Sequence, residues 1–257
     1  VGFGIGGVMG IFASFLARRF IEVYSFPYNF FYCFISASIA LGLSYLFISF
    51  AKEPDLIVNS DDLNLTQYIK KLPDILKADK NFTLYIVGRI LSALGGMGIG
   101  FYTIYSLKVF NLGDEYAGVF SAFLLSSQTV STFLMGPLGD LRGHKLVLSI
   151  GILSLLVGYL GLIVGIGPWT AYLAFVFLGI NFSTFMTSGM ALLTEFAPTE
   201  LRPVYVGLSN TLIGPFSFTA PIIGGILANR MGYKSMFLIA FILTLLGFLV
   251  MTFLVKE

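Results

Sequence analysis

Residues Leu146 to Thr194 read LVLSIGILSLLVGYLGLIVGIGPWTAYLAFVFLGINFSTFMTSGMALLT, 49 consecutive positions without a charged side chain. A bilayer core about 30 Å thick is crossed by about 20 helical residues rising about 1.5 Å each. The run therefore holds two spans. Gly165-Ile166-Gly167-Pro168 supplies the break, because glycine and proline do not sustain helical hydrogen bonding there. Outward from this pair the same count gives eight spans: Val1 to Ala17, Tyr28 to Phe50, Phe82 to Leu107 with Arg89 near its start, Tyr116 to Gly139, Leu146 to Val164, Thr170 to Thr194, Pro203 to Asn229 and Ser235 to Val255. Membrane β-strands would alternate with period two over about ten residues. These runs are continuously apolar for twice that length, so an all-α integral membrane protein is expected.

Composition agrees. Of the 257 residues, 57% are hydrophobic and 11% charged, against about 45–50% apolar and about 25% charged in soluble domains. Eleven of the 28 charged residues crowd into Lys52 to Lys80. The net charge of +2 and the placement of basic residues at span ends, not along a stripe, exclude a nucleic-acid partner. One cysteine, Cys33, excludes an internal disulfide, and a single Cys and a single His are too few for a structural zinc site. No metal and no cofactor are expected. His-Glu-x-x-His and Gly-x-Ser-x-Gly are both absent, so an enzyme is not expected; were there one, His144 would be its natural dependence. The chain opens on Val1 with no basic segment before the first apolar run, which argues against a secretory signal and for a trimmed start.

Loop charges set the orientation. Lys52, Lys70, Lys71, Lys77, Lys80, Arg142, Lys145, Arg202 and Lys256 lie on one side; Arg18, Arg19, Lys108, Arg230 and Lys234 lie on the other. The richer side is cytoplasmic by the positive-inside rule. Both chain ends then face the cytoplasm, in the cell (inner, plasma) membrane. Within the long polar segment, Leu65, Tyr68, Ile69 and Leu72 fall on one helical face, which predicts an amphipathic helix on the cytoplasmic interface. Pro73 and Asp74 suit the start of a second helical piece. A flexible linker is the alternative.

Leu16-Ala17-Arg18-Arg19 closes the first span and Leu227-Ala228-Asn229-Arg230 the seventh, each followed by a Phe-rich span ending in Lys52-Glu53 or Lys256-Glu257. The two pairs read as copies. If the last six spans form one unit, residues 1–51 are the end of an equivalent unit, four spans are expected upstream, and 52–80 links the halves to 81–257.

Between the fourth and fifth spans stands Gly136-Pro137-Leu138-Gly139-Asp140-Leu141-Arg142-Gly143-His144-Lys145. It resembles the signature loop of the major facilitator superfamily, with Gly136, Leu138, Asp140, Gly143 and Lys145 in register. Leu141 stands where that family usually has Arg or Lys, with Arg142 one place later, and His144 replaces the first of its closing basic pair. Glu195-x-x-Pro198-x-x-x-Arg202 resembles the equivalent later loop, and Ala220-Pro221-Ile222-Ile223-Gly224-Gly225 is similar to the family's Gly-rich eleventh helix. The chain would then hold helices five to twelve of a twelve-helix bundle. The resemblance implies a secondary active transporter moving a small solute by alternating access, one six-helix half rocking against the other. It also implies that Asp140 meets the other half. A transport-inactive sensor or scaffold of the same fold is the alternative, ahead of a membrane-embedded enzyme. The expected partners are a small-molecule substrate, the bilayer and a coupling ion, proton or sodium, for a monomeric protein.

In the loop chemistry itself, Gly136 and Gly143 permit a tight turn and close helix approach. A carboxylate at Asp140 near a helix terminus contributes up to about 2 kcal/mol, enough to bias a two-state equilibrium without locking it. Gly136, Asp140, Arg142, Gly143, Lys145, Glu195 and Arg202 are therefore the expected conformational latch. Polar side chains inside a bilayer face protein or a water-filled cavity. Asn181, Thr184 and Ser188 share one helical face, as do Ser121, Gln128 and Thr132, and these faces are expected to line the substrate cavity. Tyr102 and Tyr105 are expected to stack on the substrate, and Asn210 and Ser217 share a further face. Arg89, within two turns of its span's cytoplasmic end, reads as a snorkelling residue, and His144 as a loop base. No Asp or Glu occurs at mid-depth in any span.

Overall fold

The computed structural model describes residues 2–51, 74–113 and 116–256. The amphipathic helix expected through Leu65, Tyr68, Ile69 and Leu72 lies outside the described residues. The chain divides into two compact units. In the first, α1 (Gly2–Val23) packs on α2 (Tyr28–Ser49). Tyr32 of α2 packs its ring 4.5 Å from Tyr24 and 6.0 Å from Phe20. α1 runs one and a half turns past Ala17, because nothing in Arg18 to Val23 breaks a helix.

The second unit is a helical bundle. Its first span comprises α3 (Lys80–Gly95), a 3₁₀ segment (Gly96–Phe101) and α4 (Tyr102–Phe110), with a helical turn over 74–78 before it. There follow α5 (Tyr116–Arg142), α6 (His144–Val164), α7 (Pro168–Phe196), α8 (Arg202–Met231) and α9 (Tyr233–Leu249), the last ending in a π turn (Val250–Leu254). Among the described residues there is no strand, and seven segments are long and apolar enough to cross a membrane. α1, at 22 residues, has the length of an eighth.

The connections are short for the reasons their residues suggest. α6 stops at Gly165, whose φ of +56° turns the chain left-handed, and α7 begins with Pro168 in its first turn. Between α5 and α6 a single residue, Gly143, makes the turn at φ +93°. A side chain there would be strained. Asp79 caps α3, its carboxylate accepting from the Phe82 N–H at 2.8 Å and from the Tyr205 hydroxyl at 3.1 Å. This ties the start of α3 to α8.

The third span is not the uninterrupted helix that its hydropathy predicts. Gly95-Gly96-Met97-Gly98-Ile99-Gly100 lacks side chains to hold an α-helix, and the backbone tightens to 3₁₀. The Gly95 carbonyl at the junction accepts from the buried Tyr159 hydroxyl at 2.6 Å, a partner that a carbonyl inside a bilayer requires.

α6 is the central post, with Leu148, Ile152, Leu155, Tyr159 and Leu162 buried along it. α7 packs between α5 and α6, and α9 packs against α3, α6 and α8. α6 and α7 meet at Gly151, where a β-carbon would lie 2.8 Å from Thr184 Cβ and closer still to Thr184 Oγ1. Small residues at such crossings let backbones approach. Asn181 uses the approach, its Nδ2 donating to the Gly151 carbonyl at 2.8 Å. One end of the bundle is closed by a cluster of rings, Tyr102 lying 5.6–5.8 Å from Tyr159, Phe175 and Phe237 in edge-to-face contacts.

Candidate functional site

The cap at Asp79 sets the register of α3, and helical spacing then puts Tyr85, Arg89, Ser92 and Gly96 on one face. That face borders two adjoining cavities in the second unit, of about 280 and about 350 Å³. Phe182 and Phe185 of α7 and Ala220 and Pro221 of α8 wall the first, with Asn181 at its edge. Asn210, Ile213 and Gly214 of α8, with Met190 of α7, wall the second. Arg89, Phe185 and Ser217 border both and form the waist between them.

Arg89 is the charged group at this waist. Its Nη1 donates to the Tyr85 hydroxyl at 3.1 Å, and its Cζ lies 4.3 Å from the Phe185 ring centroid, a cation–π contact. Among the described residues no carboxylate lies within ion-pair distance of it. The reading of Arg89 as a snorkelling residue is thus corrected: its guanidinium is turned against α7 and the cavity. Hydropathy gives a residue's depth and leaves open which neighbour it faces. The available signal was a lone cation in an apolar run with Ser92, Ala93 and Gly96 as small neighbours on its own face.

The expected cavity faces are only partly brought together. Asn181, Asn210 and Ser217 border the cavities. Thr184 and Ser188 are fully buried between helices instead, Thr184 donating to the Asn181 carbonyl at 2.8 Å and Ser188 contacting His144. Ser121, Gln128 and Thr132 border neither cavity. Ser121 donates to its own helix at Ala117, Gln128 Nε2 reaches Met186 Sδ at 3.7 Å, and Thr132 donates to the Gln128 carbonyl and to Ser183. Tyr102 and Tyr105 do not stack on an open site either. Both are buried in the ring cluster, and the Tyr105 hydroxyl donates to the Leu162 carbonyl at 3.1 Å. Carbonyls of their own helices, neighbouring helices and the ring cluster thus provide the partners that a cavity was expected to supply.

At the turn between α5 and α6, His144 is not a solvated loop base. Its side chain is 15% exposed, with Nδ1 3.1 Å from Ser188 Oγ and Nε2 3.8 and 3.9 Å from the carboxylates of Asp140 and Glu195. Close approach falls to Gly139, where a β-carbon would meet the His144 ring at 2.6 Å, whereas Gly136 has open space beside it. Asp140 remains 79% exposed. Arg142 ends α5 exposed, Lys145 lies in the first turn of α6, and Arg202 opens α8 on the surface.

A family model described as Major Facilitator Superfamily matches residues 85–257. The chain is 25% identical over 238 residues to an uncharacterized MFS-type transporter of Methanocaldococcus jannaschii, covering 88% of this chain and 57% of that protein. It is 26% identical over 147 residues to the class E tetracycline resistance protein of Escherichia coli, covering 57% and 36%. With the riboflavin transporter RibZ of Clostridioides difficile it shares 24% over 155 residues, covering 60% and 34%. The chain spans about a third to just over half the length of these relatives. A multi-pass, all-helical membrane bundle that matches this model over most of its length defines the class: the chain belongs to the Major Facilitator Superfamily.

Proposed function

We propose that the full-length protein is a secondary transporter that moves a small solute by alternating access, the present chain supplying helices five to twelve of twelve. The observation that carries this reading is the paired open cavity between α3, α7 and α8, polar at its waist and walled by apolar helices. Transporter sites of this kind sit where irregular backbone lines a cavity, and the 3₁₀ segment borders this one through Gly96 and Ile99. The two relatives named as transporters, of Methanocaldococcus jannaschii and Clostridioides difficile, support it.

In this proposal residues 1–51 end the first half, 52–80 link the halves in the cytoplasm, and 81–257 are the second half, with both chain ends cytoplasmic in the cell membrane. The exposed Asp140 carboxylate is available to latch the halves together. The protein works as a monomer, and its coupling ion is a proton or sodium. The test is solute flux in vesicles reconstituted with the full-length protein. Ser217→Trp, which fills the waist, is expected to stop flux with the fold intact, and Asp140→Ala to slow it. Undiminished flux in Ser217→Trp would place the pathway elsewhere, and wild-type rates in Asp140→Ala would remove the latch.

A further inference from the structure

We infer that the waist cavity selects an organic anion with an apolar, aromatic-sized body. The inference rests on the transporter reading and goes beyond it by naming the class of solute. Arg89 presents a guanidinium with five N–H donors in one plane. One of these is donated to Tyr85, and the Phe185 ring covers part of the group. No carboxylate among the described residues neutralises it. An unpaired cation inside a bilayer is costly, and a guanidinium binds carboxylate, sulfonate or phosphate oxygens in a two-pronged fashion.

The surroundings fit the rest of such a solute. Asn210 and Ser217 border the same space, and neither side chain has a hydrogen-bond partner among the described residues. They can hold further oxygens of the anion. Beyond Arg89 the first cavity is walled by Phe182, Phe185, Ala220 and Pro221, which receive an apolar body and offer nothing to a second charge. A cationic solute would have to approach a fixed positive charge that has no carboxylate beside it among the described residues. An uncharged solute would leave the guanidinium unsatisfied.

The experiment uses the full-length protein purified in detergent and three ring-matched probes: 1-naphthoate, neutral 1-naphthamide and cationic 1-naphthylmethylammonium. Binding is read by calorimetry and by the shift in melting temperature. Naphthoate is expected to bind about tenfold or more tightly than naphthamide, and the cation not at all. Arg89→Gln should bring naphthoate and naphthamide to equal affinity, Arg89→Lys should keep part of the preference, and Phe185→Ala should weaken both probes alike. If Arg89→Gln fails to yield folded protein, the Arg89→Lys and Phe185→Ala comparison decides. Preference for the neutral or cationic probe, no naphthoate binding up to millimolar concentration, or an anion preference that survives Arg89→Gln would overturn the inference. Flux of a cationic solute alone would sink it and leave the transporter reading standing. Arg89-dependent naphthoate binding without flux of any solute would do the reverse.

Discussion

Gly151→Ala tests the α6–α7 contact on which the wall of the cavity depends. A β-carbon at Gly151 would sit 2.8 Å from Thr184 Cβ, roughly 0.7 Å inside an ordinary carbon–carbon contact of about 3.5 Å. Thr184 cannot simply swing away, since its hydroxyl donates to the Asn181 carbonyl at 2.8 Å in a fully buried site. The helices must part instead. Overpacking of this sort costs about 1–3 kcal/mol, and parting also stretches the Asn181–Gly151 bond, worth about 0.6 kcal/mol for a typical interhelical pair in a membrane. The better helix propensity of alanine returns up to about 1 kcal/mol, so a net loss of about 1–2 kcal/mol is expected. The assay is thermal unfolding in detergent of wild type, Gly151→Ala, Thr184→Ala and the double variant. The double variant takes away Thr184 Oγ1, the atom closest to the new methyl, but keeps the Cβ, so it should recover part of the loss, giving a coupling energy of about 1 kcal/mol or more. Additive single effects, or a Gly151→Ala protein as stable as wild type, would refute the close packing.

Other substitutions probe single bonds. Tyr102→Phe removes a hydroxyl that is buried without a hydrogen-bond partner among the described residues, so stability should hold or rise by about 1 kcal/mol; a fall of several degrees in melting temperature would contradict this. Tyr159→Phe takes the 2.6 Å bond from the Gly95 carbonyl and should cost about 1–3 kcal/mol in the same melts, the opposite sign for the same chemical change on a ring 5.6 Å away. Asp79→Ala loses the cap of α3 and the tie to Tyr205 and should cost about 1–2 kcal/mol. Asp79→Asn, which can still accept from the Phe82 N–H, should keep most of it, and equal losses in the two variants would deny the cap.

Much of the architecture could be read from charge-free run lengths, because bilayer thickness fixes how many residues a span needs. The Gly165 to Pro168 break lies where the glycines and proline put it, and Gly143 makes its turn for the reason its residue type suggests. The site was less legible. Periodicity correctly placed Asn181, Thr184 and Ser188 on one face but gave no sign that α6 would press against Thr184 and His144 against Ser188, leaving only Asn181 at a cavity edge. The same limit applies to Tyr102 and Tyr105, expected to stack their rings on a solute but packed into the cluster that closes the bundle. Arg89 was visible as a cation near a span end, yet its meaning depended on Phe185 and Ser217, 96 and 128 positions further along the chain. The 3₁₀ interruption was spelled out in four glycines within six residues and was passed over because hydropathy averages across it.

That interruption gives the third span extra reach for its residue count. Six residues at about 2.0 Å per step would shorten by about 3 Å if rewound at about 1.5 Å. Tyr159 moors the near end of this segment and packs on Tyr102 at its far end, so one side chain of α6 holds the extra reach in place beside the cavity.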